Sequence, residues 1–342
     1  MERFPLDRLG RPLRNLRVSV TDRCNLRCGY CMPEEEYTWL PRQDLLRFEE
    51  IETLLRGLVP MGISKLRLTG GEPLLRRDLA GLVERLARID GLDDLAMTTN
   101  GLLLKDQAAD LRQAGLGRLT VSLDSLDPQL YAKLTRRDSL DQALAGLEAA
   151  TSAGFTKIKI NTVMLAGGND QELESLLEFA RQAGHELRFI EYMDVGGATQ
   201  WSSEQVLGKT EILARIEAHF GPLTPASKDQ SAPADRFRLA DGTTIGVIAS
   251  TTQPFCSSCD RARLTADGKL FACLYAAHGL DLRTPLRAGL DAVAMGQLVS
   301  ANWAERQDRG AEQRLAEGVR KPLAGPAELQ ANPHLEMHTK GG

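Results

Sequence analysis

All six cysteines of the chain fall into two triplets. Cys24, Cys28 and Cys31 are spaced C-x3-C-x2-C, and Cys256, Cys259 and Cys273 are spaced C-x2-C-x13-C. In a reducing compartment such grouping argues for metal rather than disulfides. Three neighbouring thiolates can hold three irons of a four-iron cluster and leave the fourth without a protein ligand, whereas ferredoxin-type clusters take four cysteines. An open metal position is where a substrate or cosubstrate coordinates, the logic that also separates catalytic from structural zinc. Zinc is the competing occupant, as a knuckle at the first triplet and with a fourth ligand such as His278 at the second.

The first triplet follows a β-branched run, Val18 to Val20, that opens a regular alternation. Strands are predicted at residues 16–20, 65–69, 95–98, 119–123, 157–163 and 187–192, with helical patterns that include 48–58, 79–89, 142–153 and 171–182. Alternating units imply parallel strands with right-handed crossovers. Six of them make an α/β fold, a partial, open (β/α)6 version of the eight-stranded barrel. Within the strands Arg17 opposes Val18, Arg67 opposes Leu66 and Leu68, and Lys159 and Asn161 oppose Ile158 and Ile160. A closed barrel fills its lumen with branched apolar side chains. Polar residues on one face of strand after strand therefore predict a wet or ligand-filled lumen, with the aliphatic faces under the helices.

The loops at the C-terminal ends of these strands, where such folds place their sites, carry the unusual residues. After the cysteines come Gly70-Gly71-Glu72-Pro73, Thr98-Thr99-Asn100-Gly101, Ser122-Leu123-Asp124-Ser125 and the run from Arg188 to Gly196. The two glycines would let backbone approach a ligand closely, and Glu72 would face a ligand ammonium. The absence of G-x-G-x-x-G and G-x-x-x-x-G-K-[ST] runs argues against Rossmann and P-loop nucleotide binding. A Pro, Ser, Ala and Gly stretch around 221–234 reads as a boundary, giving a barrel domain at 1–225 and a smaller domain of short strands and helices at 226–342. Beyond it, Asp241-Gly242 and Asp267-Gly268 mark hairpins. Folding about the second turn brings Cys273 towards Cys256 and Cys259 and sets Arg261 and Arg263 beside them.

Composition adds bounds. The 342 residues suffice for a large core plus a smaller domain, and 42% hydrophobic with 26% charged residues is ordinary for a globular protein. A net charge of −4 leaves no global attraction to nucleic acid, so any anion site must be a local cation cluster. No apolar leader and no run of membrane-spanning length is present, and a cytoplasmic protein is expected.

C-x3-C-Gly-Tyr-C resembles the signature of the radical S-adenosylmethionine (SAM) enzymes. Several further runs extend the likeness: Ser-Val-Thr-Asp-Arg, Thr-Gly-Gly-Glu-Pro, Thr-Thr-Asn-Gly, Ser-Leu-Asp and Arg-Phe-Ile-Glu-Tyr-Met-Asp. With the second triplet, its Arg-Ala-Arg-Leu and the terminal Gly-Gly added, the chain resembles the GTP 3',8-cyclase family of molybdenum cofactor biosynthesis over nearly its whole length. The resemblance implies two 4Fe-4S clusters, one on each triplet, and SAM bound and cleaved at the first. It implies that a deoxyadenosyl radical takes the C3' hydrogen of GTP and that C3' then bonds to guanine C8, giving 3',8-cyclo-7,8-dihydro-GTP. The guanine would sit on the open iron of the second cluster.

By the same resemblance Tyr30, Gly71, Glu72, Ser122 and Met193 belong to the SAM site. Arg17, Arg67, Thr98, Lys159, Arg261 and Arg263 belong to the GTP site. Arg17, Arg188, Gly341 and Gly342 act in catalysis, the diglycine tail reaching into the cavity with Lys340 adding attraction for phosphate. An external one-electron reductant and a downstream pterin-forming enzyme are implied as partners; no nucleic acid or membrane partner is expected, and a homodimer is compatible. Two other readings stand beside it. One is a radical SAM enzyme that modifies a peptide through an auxiliary cluster, against which the small number of cysteines counts. The other is a zinc-binding structural protein.

Overall fold

The computed structural model describes residues 4–156, 158–227 and 231–342; the predicted strand start at Lys157 and three positions of the 221–234 stretch lie outside them. Strands β1 (Asn15–Ser19), β2 (Lys65–Thr69), β3 (Asp94–Thr99), β4 (Arg118–Ser122), β5 (Lys159–Met164) and β6 (Glu186–Glu191) pair in parallel and in sequence order. Helices α1 (Phe48–Leu58), α2 (Leu79–Ala87), α3 (Leu104–Gln113), α4 (Pro128–Thr135), α5 (Leu140–Ser152) and α6 (Leu173–Gln182) connect them. The helix α3 is too polar to read from periodicity, since its buried stripe is only Leu104, Ala108 and Leu111.

The helix α1 shows how the connections are made. Ile51, Leu54, Leu55 and Leu58 recur at helical spacing and are buried to 2% exposure or less. Its first turn is closed by Glu50, whose carboxylate accepts from the Arg47 amide at 2.7 Å. Each such aliphatic side chain contributes about 1.5–3 kcal/mol by leaving water, and Leu54→Asp would be enough to lift the helix off the sheet.

The segment after residue 225 does not build a sheet of its own. Past α7 (Lys209–Phe220) come β7 (Thr224–Ala226), β8 (Asp235–Arg238) and β9 (Thr244–Ile248), then β10 (Arg261–Leu264), β11 (Lys269–Phe271) and β12 (Leu280–Asp281). The hairpins turn at Asp241-Gly242 and Asp267-Gly268 as expected. However, β9 then pairs in parallel with β6, and β10 with β1. The result is one open twelve-stranded sheet, ordered β12-β11-β10-β1-β2-β3-β4-β5-β6-β9-β8-β7. Helices α8 (Arg283–Arg287), α9 (Ala292–Ala304), α10 (Gly310–Ala316) and α11 (Pro326–Ala331) follow. Met295, Val299 and Trp303 of α9 join the same core as Leu54 and Leu66, so that core crosses residue 225.

The two faces of the sheet divide as the alternation predicts. Leu16, Val18, Leu66, Leu68, Leu119, Val121 and Ile160 are buried to 1% or less under the helices. On the other face Arg17, Arg67, Lys159 and Asn161 line a lumen cavity of about 910 Å³. No helix among the described residues is long and apolar enough to cross a membrane.

Candidate active site

The first cysteine loop leaves β1 and turns so that the Cys31 and Met32 amides donate to the Cys28 carbonyl at 3.0 and 2.7 Å. The Gly70-Gly71 loop lies against its entry. The Gly71 amide donates to Thr21 O at 2.9 Å and the Glu72 amide to Arg23 O at 2.7 Å. A Cβ on Gly71 would stand 2.3 Å from the Arg23 carbonyl oxygen. The close approach these glycines allow is thus made to the chain itself. Glu72 is buried and accepts from Leu74 N at 3.0 Å, Thr99 Oγ1 at 2.7 Å and Asn100 N at 2.7 Å. It ties the β2 loop to the β3 loop, and burial pushes its carboxyl up to about 7.

Tyr30 Oη donates to Asp124 Oδ2 at 2.6 Å, while Asp124 Oδ1 accepts from the Val163 amide at 2.9 Å. Burial pushes Asp124 up to about 6. Tyr30, Ser122 and Met193 line a second cavity of about 270 Å³, on which Cys256, Cys259 and Cys273 also open.

All six cysteines are free. Burial raises the three thiols of the first loop, Cys24 to about 11, and Glu72 adds to Cys24 while Asp124 and the neighbouring thiols add to Cys28 and Cys31. As thiolates they require positive charge close by, which the irons of a cluster carry. Among the described residues no three His, Cys, Asp or Glu side chains converge as single-ion ligands do. His278, the fourth ligand a zinc reading would use at the second triplet, is exposed.

The second triplet differs at Cys259. Cys256 opens a tight 3-10 turn (Cys256–Ser258), Cys259 ends it, and β11 returns Cys273 to them. Burial alone would raise the Cys259 thiol, but Arg261 and Arg306 outweigh it and hold Cys259 below its ordinary value. Burial raises Cys273 to about 11, and Asp308 adds to it.

Between the triplets lie the lumen cations. In register across three adjacent strands stand Arg263 of β10, Arg17 of β1 and Arg67 of β2. Arg67 donates to Thr98 Oγ1 and Thr120 Oγ1, both at 3.0 Å. Among the described residues none of Arg17, Arg67, Lys159, Arg261 and Arg263 has a carboxylate partner within ion-pair distance. Burial lowers Arg67 and Arg263 to about 10, with neighbouring guanidiniums adding to it. Burial, then Arg188 and Arg118, lowers Lys159 to about 7. Arg188 differs from these cations, because its Nε donates to Glu186 at 2.7 Å.

The C-terminal tail ends in this place. Gly341 has φ +71°, and its carbonyl accepts from Arg263 Nη1 at 2.7 Å and Arg17 Nη1 at 3.5 Å. Gly342 lines the smaller cavity. Lys340, expected to attract phosphate, is instead fully buried. Its Nζ donates to the Leu274 and Ala276 carbonyls at 3.0 and 2.7 Å, and it lies 4.8 Å from the Phe271 ring centre. Those carbonyls satisfy the ammonium that burial would otherwise strand.

Sequence reasoning passed over several residues that shape the site. Asp124, which holds Tyr30, and Asn161, whose buried Oδ1 has no partner, stood in polar positions already identified on β4 and β5. Position on the lumen face was the available signal. Glu191 accepts from Lys209 N, Thr251 N and Thr252 N, and Asp194 binds Tyr275, Arg314 and Arg320. Both clamp the β6 loop to the C-terminal segment through partners far away in sequence.

Comparison with known proteins agrees with this layout. The radical SAM superfamily matches residues 18–180, and Molybdenum Cofactor Synthesis C matches residues 185–312. The chain is 51% identical over 340 residues to GTP 3',8-cyclase 3 of Mycobacterium bovis, covering 98% of this chain and 90% of that one. It is 52% identical to GTP 3',8-cyclase 1 of Mycobacterium tuberculosis, covering 98% and 95%. Among solved structures, Streptococcus suis SuiB superposes with a TM-score of 0.59 at 16% identity, over 89% of this chain and 68% of that one. At such identity the likeness concerns the fold alone. The match to the cyclases runs through both cysteine loops and both family regions in order, and the chain belongs to the GTP 3',8-cyclase family within the radical SAM superfamily.

Proposed function

We propose that the chain converts GTP to 3',8-cyclo-7,8-dihydro-GTP, a lyase-class step that opens molybdenum cofactor biosynthesis. The observation that carries this reading is the row Arg263, Arg17 and Arg67, in register on neighbouring strands. Like charges directly opposite one another destabilise a sheet, and buried cations without a countercharge cost more still. A triphosphate removes both costs, and arginine forks meet its oxygens in pairs. Lys159 and Arg261 extend the same anion site, and Thr98 fixes the Arg67 side chain beside it.

When bound, the first cluster supplies the electron that cleaves SAM, and the second offers an open metal position to the purine. Cys24, Cys28 and Cys31 would hold the one, and Cys256, Cys259 and Cys273 the other. Tyr30, Ser122 and Met193 border the SAM side, with Asp124 keeping Tyr30 in place. Glu72 and Gly71 act there by fixing the loops. The Gly341 carbonyl, already held by Arg263 and Arg17, closes the lumen beside the substrate and excludes water. Arg188 reaches the nucleotide only by exchanging its Glu186 partner. Residues 226–342 form the second-cluster and substrate segment. An external one-electron reductant feeds the reaction, and a pterin-forming enzyme consumes the product.

The test is an anaerobic incubation of reconstituted protein with GTP, SAM and a chemical reductant, followed by product analysis. Cyclised GTP formed alongside 5'-deoxyadenosine is expected. SAM cleavage that leaves GTP unchanged would reject the assignment.

A further inference from the structure

The segment ahead of β1 joins Arg306 in a buried ion cluster behind the second triplet. Arg11 Nε donates to Asp7 Oδ2 at 2.6 Å, and Arg306, just past α9, brings a second guanidinium to 3.4 Å from the same carboxylate. The side chains are 3%, 0% and 2% exposed for Arg11, Asp7 and Arg306. Of the carboxylates that meet these two sealed cations, only Asp7 is sealed with them; Asp308, the other partner of Arg306, is 32% exposed. Burying two cations is costly unless negative charge lies close by.

What the guanidiniums face is the second cysteine triplet. Arg11 Nη1 donates to the Cys256 carbonyl at 2.8 Å, and Arg306 Nη1 donates to the Cys259 carbonyl at 2.7 Å. Arg11 also holds the Asp308 carbonyl at 3.0 Å, and Arg306 Nε holds Asp308 Oδ2 at 3.1 Å. Trp303 fixes both arginines: its ring centre lies 4.4 Å from the Arg306 guanidinium, and its Nε1 donates to the Arg11 carbonyl at 2.9 Å. The two cysteines of the C-x2-C turn are thus each held by one cation, one from the chain's start and one from near residue 306.

We propose that Asp7, Arg11 and Arg306 are positioning residues for the second triplet. The guanidiniums fix the Cys256 and Cys259 backbone, and with it the directions of their thiolates. The positive charge of Arg306, held against the Cys259 backbone, stabilises the more negative, reduced form of a cluster held there. Net charge and hydrogen bonding around the ligands set iron–sulfur potentials, and outer partners orient the ligands themselves. The inference rests on the reading that this triplet carries a cluster.

The experiment uses the full chain with Cys24, Cys28 and Cys31 replaced by Ala, so that signals come from the second triplet alone. After anaerobic reconstitution, iron and sulfide are counted and the midpoint potential is measured by titration followed by electron paramagnetic resonance. Arg306→Gln is expected to move the one-electron equilibrium at least tenfold towards the oxidised form, about 59 mV more negative. Arg306→Lys should recover most of that shift. Asp7→Asn, which leaves both cations and strips their carboxylate, should move the potential the other way. A merely loosened turn would move both variants in the same direction.

Equal signs for Arg306→Gln and Asp7→Asn, or no shift in either at full iron content, would overturn the proposal. Should Arg306→Gln fail to hold a cluster, the sign of the Asp7→Asn shift and the retention of iron by Arg306→Lys decide it. A triple-alanine protein that never takes up iron would instead reject the cluster reading.

Discussion

The two cysteine triplets have the same ligand count and differ in the charge around one cysteine. Around Cys24, Cys28 and Cys31 the acidic groups prevail: Glu72, Asp124 and Glu336 all raise one or more of these thiols beyond what burial does, with Arg27 opposing them at Cys24. In the second triplet Cys256 and Cys273 are likewise raised by burial, with Glu312 and Asp308 adding to it, but Arg261 and Arg306 outweigh burial at Cys259. Negative surroundings lower the potential of an iron–sulfur centre and positive ones raise it. A cluster on the first loop would thus meet more negative surroundings than one held at Cys259, and local charge rather than ligand number separates the two.

The largest effect that could break this comparison comes from the ligands themselves. Cys28→Ala should abolish SAM cleavage, whereas Cys256→Ala should keep the first cluster and SAM binding while losing GTP conversion. Iron content and 5'-deoxyadenosine release check both, and normal cyclisation by Cys256→Ala would mean the second triplet has no part in the reaction. Next comes the tail. A Cβ on Gly341 would fall 2.4 Å from Thr69 Cγ2, at a positive φ that β-branched residues avoid. Gly341→Val should keep both clusters and most GTP affinity while losing product.

Removing a lumen cation sharpens the comparison more moderately. Arg263→Ala should weaken GTP binding by about 2–5 kcal/mol, because it takes away a desolvated charge partner; isothermal titration without oxygen measures this, and an affinity within twofold of the parent would return Arg263 to a structural role. Lys159, lowered to about 7 by burial and its cationic neighbours, adds a pH dependence. Phosphate binds the protonated ammonium, so binding takes up a proton as pH rises past 7. GTP affinity should then fall by up to about 1.4 kcal/mol per pH unit, and Lys159→Arg should flatten that slope. Smallest is Tyr30→Phe. Losing its bond to Asp124 should cost about 1–3 kcal/mol of stability, read as a lower urea midpoint with GTP affinity unchanged.

Much of this was determined by the sequence alone. Cysteine spacing, turn glycines and the alternation along β1, β2, β4 and β5 are local signals, because side-chain direction repeats every second residue in a strand. They placed the barrel strands, the polar lumen and both triplets. Tertiary structure decided the rest. That β9 and β10 join opposite edges of one sheet depends on backbone pairing across more than 50 and 200 residues of chain, and no residue type encodes it. That Lys340 turns to carbonyls, that Glu72 ties loops together, and that Asp7 and Arg11 serve a cysteine turn near residue 256 are equally matters of distant partners. A buried polar side chain has no periodicity of its own. Its role is set by whichever group the fold brings within hydrogen-bond reach.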